Sequence, residues 1–195
     1  MSRTTLGGGT LLSPLPAVLV ACGDMEKSNV LTVAWTGIAC TKPPVLSISV
    51  RPERYSYGII KESGEFTVNL VTSKMAREID LCGVKSGRDT DKFALCGFHR
   101  VKSQKIGCPT IDESPLTLEC RVREIIPLGS HDMFLADIVA ASADSRYMDS
   151  KGKLNLQQAG LLAYSHGEYF SLGRKLGDFG FSVRKKHSRD SERRK

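Results

Sequence analysis

Polar and apolar residues alternate along two β-branched segments, residues 29–39 and 45–50, on either side of a Pro-Pro turn. Such a hairpin can bury one face in a core while its other face offers hydroxyl and backbone groups to a flat, anionic ligand. The first segment holds the sole tryptophan, Trp35, which could form an aromatic wall of a site or simply fill the core. These residues offer hydrogen bonding and ring contact, not acid–base catalysis.

The chain has no motif for hydrolysis or nucleophilic catalysis. It contains no Gly-x-Ser-x-Gly elbow, no His-Glu-x-x-His helix, no Walker loop and no close carboxylate pair. Its six cysteines form no Cys-x-x-Cys pair, so no metal site or dithiol centre is indicated. A bound cofactor that carries out redox chemistry itself needs none of these groups, since the protein then supplies binding and orientation.

Most of the positive charge lies at the end of the chain. The formal net charge is +7, and residues 183–195 hold seven basic and two acidic side chains. This segment therefore carries +5 and leaves 7 − 5 = +2 for the rest. A near-neutral body does not favour nucleic-acid binding, and the basic tail is expected to be flexible. No apolar run approaches membrane-spanning length, so no membrane partner is expected.

The first residues match an export signal only in part. Residues 19–22 resemble a lipoprotein cleavage box, but Pro14 and Pro16 interrupt the apolar stretch that should precede it. We therefore expect residues 17–21 to form a buried strand. The protein is expected to be cytoplasmic, with reduced and mostly buried thiols.

The length of 195 residues fits one domain, residues 1–182, without a second hydrophobic core and followed by the basic tail 183–195. The 18 glycines and 8 prolines favour short elements joined by turns. Helices are predicted at residues 55–62 and 73–82, each stopped by a glycine. A polar loop over 84–93 and a strand-poor wrap over 154–180 are expected as well. Strands are predicted at 16–22, 29–39, 45–50, 65–71, 116–128 and 133–143.

Several stretches, taken in order, carry a family resemblance. They are residues 29–36, Ser49-Val50-Arg51, Tyr55-Ser56-Tyr57-Gly58, Gly64-Glu65-Phe66-Thr67-Val68-Asn69, Asp91-Lys92-Phe93 and Gly129-Ser130-His131-Asp132. Together they resemble the flavin-reductase-like family of FMN-binding split-barrel proteins, and residues 172–183 look like its flavoredoxin branch. The resemblance implies a mainly β fold: a six-stranded antiparallel Greek-key split barrel with a few peripheral helices. It also implies a homodimer with FMN near the interface.

The resemblance also assigns the cofactor site. Lys92 corresponds to a lysine that meets the FMN phosphate, and Ser56 stands at a helix start where a phosphate could bind. Each assignment has an alternative without a role in binding. Lys92 could be a solvated loop lysine, Ser56 an ordinary helix N-cap, and Arg51 a solvated charge at a strand end. Cys40 could touch the site or be a packed thiol. The implied FMN contacts are Asn29, Thr32, Val33, Ala34, Trp35, Thr36, Ser49, Val50, Arg51, Ser56, Tyr57, Ser86, Gly87 and Lys92.

His131 lies where the family has a Gly-Asp-His pattern near the docking side for nicotinamide. Here Ser130 replaces the acid and Asp132 follows the histidine, and the alternative is a surface histidine. The resemblance implies an enzyme that moves reducing equivalents from NAD(P)H through flavin to a flavin, a metal or a redox partner protein. The alternative is a flavoredoxin-type carrier reduced by a protein donor. A third possibility is a flavin- or haem-binding regulatory barrel.

Overall fold

The computed structural model describes residues 2–183, so all but the first residue of the predicted basic tail lies outside the described residues. Twelve strands and three α-helices occur in this part of the chain, together with short 3₁₀ turns. The strands are β1 (Leu15–Pro16), β2 (Val18–Gly23), β3 (Ser28–Val33), β4 (Thr36–Thr41), β5 (Pro44–Val50), β6 (Glu65–Leu70), β7 (Arg100–Val101), β8 (Thr110–Ile111), β9 (Leu116–Pro127), β10 (Asp132–Ala143), β11 (Leu162–Ser165) and β12 (Glu168–Ser171). The helices are α1 (Tyr55–Ser63), α2 (Ala76–Val84) and α3 (Lys92–Cys96).

Seven strands form one antiparallel sheet in the order β3-β2-β6-β9-β10-β5-β4. Its two edge strands, β3 and β4, are consecutive in the chain and are separated only by Ala34 and Trp35. The edges must therefore meet at these two residues, and this curls the sheet into a barrel. The predicted strand 29–39 is broken here into β3 and β4. Counted as one strand, the two halves give the six strands that were predicted, and the mainly β antiparallel fold is confirmed.

The core has two clusters, one on each face of β2, which corrects the expectation of a single core. Val18 and Val20 point into the barrel with Phe66 and Phe134. Leu19 and Ala21 point outward into a second cluster under α2 and α3, together with Ile79 and Phe93. A strand buried on both faces reads as a continuous apolar run, and residues 18–22 are such a run. The predicted buried first strand is confirmed.

Three local predictions need correction. Helix α2 does not end at Gly83 but continues to Val84, and residues 73–75 of the predicted helix form a 3₁₀ turn before it. The predicted polar loop ends in a short helix, α3, whose N-cap Asp91 accepts hydrogen bonds from the backbone of Phe93 and Ala94. The predicted strand-poor wrap contains β11 and β12, which pair with β1 in a separate three-stranded sheet. By contrast, Gly64 ends α1 in the left-handed conformation, as predicted.

The six cysteines are all free, and five of them are buried or half-buried. Cys40 is the exception: it is exposed on the edge strand β4, so its interpretation as a packed thiol is wrong. Within residues 2–183, no helix is both long and apolar enough to cross a membrane.

The buried carboxylate of Glu119 generates a prediction about stability. Its two oxygens accept hydrogen bonds from the backbone N–H groups of Gln104 (2.8 Å) and Lys105 (2.7 Å), and they fasten this loop to β9. Glu119→Ala should lower the free energy of unfolding by about 2 kcal/mol, because both charge-assisted bonds are lost. Glu124→Ala, at an exposed position of the same strand, should change it by no more than about 0.5 kcal/mol. Equal denaturant midpoints for the two variants would contradict this role.

Candidate functional site

Two adjoining depressions run along the outside of the barrel where β3, β5 and α1 meet. We call the larger one, about 540 Å³, the groove, and the smaller one, about 450 Å³, the recess. The two share Leu31, Thr32, Arg51, Arg54, Gly83 and Val84, so they form one continuous cleft. Every predicted site residue except Thr36 and Tyr57 lines one or both of them.

The recess is strongly positive. Five cationic side chains line it, against the single carboxylate of Glu53, which pairs with Arg51 at 3.3 Å. Hydroxyl groups and the backbone of the α2–α3 loop complete the lining. Such a combination of cations, hydroxyls and loop N–H groups is suited to bind a multiply charged anion. The cations are Arg51, Arg54, Lys85, Arg88 and Lys92.

Lys92 is buried and not a solvated loop lysine, which excludes the plainer alternative. Its Nζ donates to the backbone carbonyls of Cys82 (3.0 Å) and Lys85 (3.2 Å) at the end of α2. Burial lowers the pKa of this ammonium group, and the neighbouring Cys82 partly offsets the effect. An ammonium group has three N–H donors, so a third remains for a ligand in the recess.

Asn29, Ser56 and Gly87 meet at the floor of the recess. Asn29 Nδ2 donates to Ser56 Oγ at 2.7 Å, and both side chains are buried. Ser56 is not the N-cap of α1, because that position belongs to Arg54. A Cβ atom on Gly87 would lie 2.2 Å from Asn29 Oδ1, so only glycine lets the α2–α3 loop approach this closely. The loop and the barrel are therefore packed together at the recess.

Trp35 and His131 form a wall of the groove. Their ring centroids are 4.4 Å apart, and Trp35 is 40% exposed, so its interpretation as a core residue is wrong. The carbonyl of Trp35 accepts a hydrogen bond from the N–H of Ser49 at 2.9 Å, which fixes the break between β3 and β4 against β5. Burial, followed by the charge of Arg51, lowers the pKa of His131. The wall is therefore aromatic and uncharged at neutral pH.

Two predicted site residues lie outside the cleft lining. Thr36 begins β4 beside Ile48 of β5. Tyr57 packs edge-on against Phe134 and donates its hydroxyl to Asp132 at 2.6 Å. Asp132, the acid that follows His131 in the sequence, is thus hydrogen-bonded to a side chain of α1. The resemblance implied both Ser56 and Tyr57 as contacts, but consecutive residues of a helix point in different directions, and only Ser56 lines the recess.

Several lining residues were not predicted. Arg54, just before α1, donates to the carbonyl of Gly83 at 3.0 Å, and an arginine at a helix start beside a predicted anion site was a usable signal. The cations Lys85 and Arg88 of the recess were also missed. So were the N-terminal segment 10–13 and the β11–β12 hairpin, which cover one side of the groove. Ser13 Oγ donates to Ser165 Oγ (2.8 Å), and Tyr169 donates to Asp80 of α2 (3.2 Å). The partners in each contact are more than 80 residues apart in the sequence, so no local sequence pattern could have predicted these contacts.

The fold and the cleft define a split-barrel protein of the flavin reductase class. The sequence model described as "Flavin reductase like domain" matches residues 11–173, so the chain belongs to this family. The described residues contain no group of three or more His, Cys, Asp or Glu side chains that could hold a metal ion.

Three known proteins illustrate the relationship. Over 144 residues, 74% of this chain and 81% of the relative, the chain is 31% identical to an uncharacterized protein of Archaeoglobus fulgidus. It is 25% identical over 136 residues, 69% of each chain, to an NADPH-flavin oxidoreductase of Streptomyces viridifaciens. Its structure is similar to that of the flavoredoxin of Desulfovibrio vulgaris (Miyazaki F), with a TM-score of 0.86 and 27% identity over 94% of this chain and 100% of the flavoredoxin.

Proposed function

We propose that this protein is an FMN-dependent oxidoreductase that takes reducing equivalents from NAD(P)H and passes them to a flavin, a metal or a protein acceptor. The observation that carries the proposal is the continuous cleft, which joins a cationic, hydroxyl-lined recess to an aromatic groove. FMN has the matching composition: a phosphate at one end and a flat ring at the other. When bound, it supplies the two-electron chemistry for which the chain has no groups of its own.

The residues of the recess fit a phosphate. Ser86 offers a hydroxyl, Arg54 and Arg88 offer guanidinium groups, and Lys92 retains one free N–H donor. A phosphomonoester carries up to two negative charges, and five cations face a single carboxylate here. An uncharged ligand would leave this excess of positive charge without compensation.

The residues of the groove fit a flat, amphipathic ring. Val33, Ala34 and Trp35 stand on one side, with Ser49, Val50 and Arg51 from β5 next to them. Backbone at the β3–β4 break supplies polar groups beside apolar side chains, which is the usual lining of a cofactor pocket. Arg51 belongs to both depressions, so it would lie between the ring and the phosphate end.

The groove also supports a small-molecule donor. Residues 10–13 and the β11–β12 hairpin cover part of the groove beside Trp35 and His131. A partly covered groove can admit a small, flat nicotinamide ring, whereas a protein partner is too large to enter it. The similarity to a flavoredoxin over nearly the whole chain favours a second candidate, an FMN electron carrier reduced by a protein partner.

We further propose that the protein is a homodimer. The edge strand β4 begins directly after Trp35, and its residues Gly37–Thr41 are all exposed. Ile38 on this strand is 64% exposed, and an open apolar edge strand invites pairing with another chain. A second copy placed here would stand next to the groove.

Ligand selectivity tests the phosphate assignment. We expect Lys92→Met to weaken FMN binding about tenfold and Ser86→Ala about fivefold, because one donor to the phosphate is lost in each. Riboflavin, which lacks the phosphate, should bind all variants alike. Ser86 is exposed, so its replacement leaves the fold intact, and Lys102→Met at an exposed site is the matched control. Affinities are measured by fluorescence titration. If the variants lose as much affinity for riboflavin as for FMN, the recess does not bind the phosphate.

Absorbance spectroscopy tests the reaction. The purified protein, titrated with FMN and separated from free flavin, should retain flavin absorption bands. Anaerobic addition of NADH or NADPH should then bleach those bands and identify the donor. Bands that persist with both nucleotides would contradict the reductase and favour the carrier. A protein that stays colourless after FMN addition would overturn both proposals.

Sedimentation tests the dimer. The FMN-loaded protein should sediment as a dimer, and Ile38→Lys should shift it to the monomer, because burying a charge at the interface is costly. Val101→Lys, at a position 41% exposed on β7, is the matched control and should remain dimeric. A stable monomer of the FMN-loaded parent protein would contradict the proposed assembly.

A further inference from the structure

Two thiols lie in contact behind the recess. Cys82 Sγ, near the end of α2, is 3.6 Å from Cys96 Sγ, at the last residue of α3. Cys82 is buried and lines the recess, whereas Cys96 is half-buried and reachable from solvent. The segment between them supplies one wall of the recess, through residues 83–88 and Lys92.

We propose that Cys82 and Cys96 are a redox modification site, at which a reversible disulfide joins α2 to α3 and stiffens the recess. A disulfide has an S–S distance of about 2.05 Å, so the sulfurs must approach by about 1.5 Å. Helix α3 packs Phe93 into the core but ends at the half-exposed Cys96, whereas α2 packs Cys82 itself into the core together with Ile79. We therefore expect the end of α3 at Cys96 to make the movement.

The oxidant we invoke is hydrogen peroxide, which accepts two electrons. The more accessible Cys96 sulfur attacks one peroxide oxygen, the O–O bond breaks, and a sulfenic acid and one water are formed. The Cys82 sulfur then attacks the Cys96 sulfur, the S–S bond forms, and the S–O bond breaks. The departing hydroxide takes the Cys82 proton and leaves as a second water. Two thiols and one peroxide thus give one disulfide and two waters.

The rate of this reaction depends on pH. Burial and then the neighbouring Cys96 raise the pKa of Cys82 to about 12, and burial also raises the pKa of Cys96, against a lowering by its hydrogen bond with Cys82. Glu78 raises both further, whereas Lys92 lowers both and Arg77 lowers that of Cys96. Because the thiolate is the reactive form, the disulfide should form slowly at neutral pH and faster as the pH rises. The pair should therefore be oxidised during prolonged exposure to peroxide and not during a brief exposure.

The consequence for the ligand rests on the proposed function. The bond ties residues 83–95 into a closed loop, which restricts the open conformations of the wall that includes Lys85, Ser86 and Arg88. A ligand phosphate held by this wall leaves only when the wall opens. Oxidised protein should therefore release FMN about fivefold more slowly, because restriction of a binding loop stabilises its bound form.

The experiment uses the full chain with Cys40→Ser, so that the exposed thiol cannot link two copies. After treatment with hydrogen peroxide at neutral and mildly alkaline pH, free thiols are alkylated and digested peptides are analysed by mass spectrometry. We expect a peptide pair joined through Cys82 and Cys96, lost on reduction and more abundant at the higher pH. Cys96→Ser should abolish it. Cys120→Ser, which removes another buried thiol, should not.

Two results would overturn the proposal. The first is peroxide consumption with no Cys82–Cys96 peptide in either condition. The second is a disulfide in full yield that leaves the rate of FMN release unchanged, which would refute the stiffening of the recess. The peptide map needs no flavin. A protein that forms the disulfide but never binds FMN would therefore refute the proposed function and the effect on retention, but not the modification site.

Discussion

The break between β3 and β4 is the constraint on which the rest of the structure depends. These strands are the two edges of the seven-stranded sheet, and Ala34 and Trp35 alone connect them. The sheet has to close at this point, and the hydrogen bond from Ser49 N–H to the Trp35 carbonyl (2.9 Å) holds the closure against β5. Where the backbone turns between two strands, the side chains no longer alternate between the inside and the outside of the barrel. Trp35 can therefore face the groove and not the barrel core.

The recess depends on a second element, the carboxyl end of α2. The last carbonyls of a helix lack intrahelical partners and carry partial negative charge. Lys92 donates to two of these carbonyls and Arg54 to a third, so part of the cationic lining has a structural role. This role does not account for Arg51, Lys85 and Arg88 in the same lining. A bound anion would offset the repulsion among these charges and would favour the charged form of the buried Lys92.

Much of this architecture could be predicted from local sequence, because strand alternation, Gly64 as a helix end and the apolar run 18–22 are short-range signals. The cleft residues on β3 and β5 followed from the family resemblance and lie together. The cover of the groove could not be predicted: residues 10–13 and the β11–β12 hairpin meet only through long-range contacts such as Ser13–Ser165. Tyr57, which the resemblance implied as a contact, lies outside the cleft lining because it faces Phe134 and Asp132. The burial of Lys92 was missed because its partners are backbone carbonyls, which carry no sequence signature.

The sequence departs from the family pattern around His131, and the structure shows which partners the changed residues have. Asp132 accepts the hydroxyl of Tyr57 and so is engaged on the α1 side. Ser130 Oγ lies 3.0 Å from His131 Nδ1 and can orient the ring, which leaves Nε2 as the nitrogen free for a ligand. The pKa of His131 is lowered by burial and by Arg51, so at neutral pH the imidazole offers a hydrogen bond and not a charge. Under the proposed function, attraction of an anionic donor at this end of the cleft would come from Arg51 and Arg54, which line it. His131 and Trp35, whose rings are in contact, would then orient the ring of a bound ligand, and this proposed division of roles does not need the missing acid.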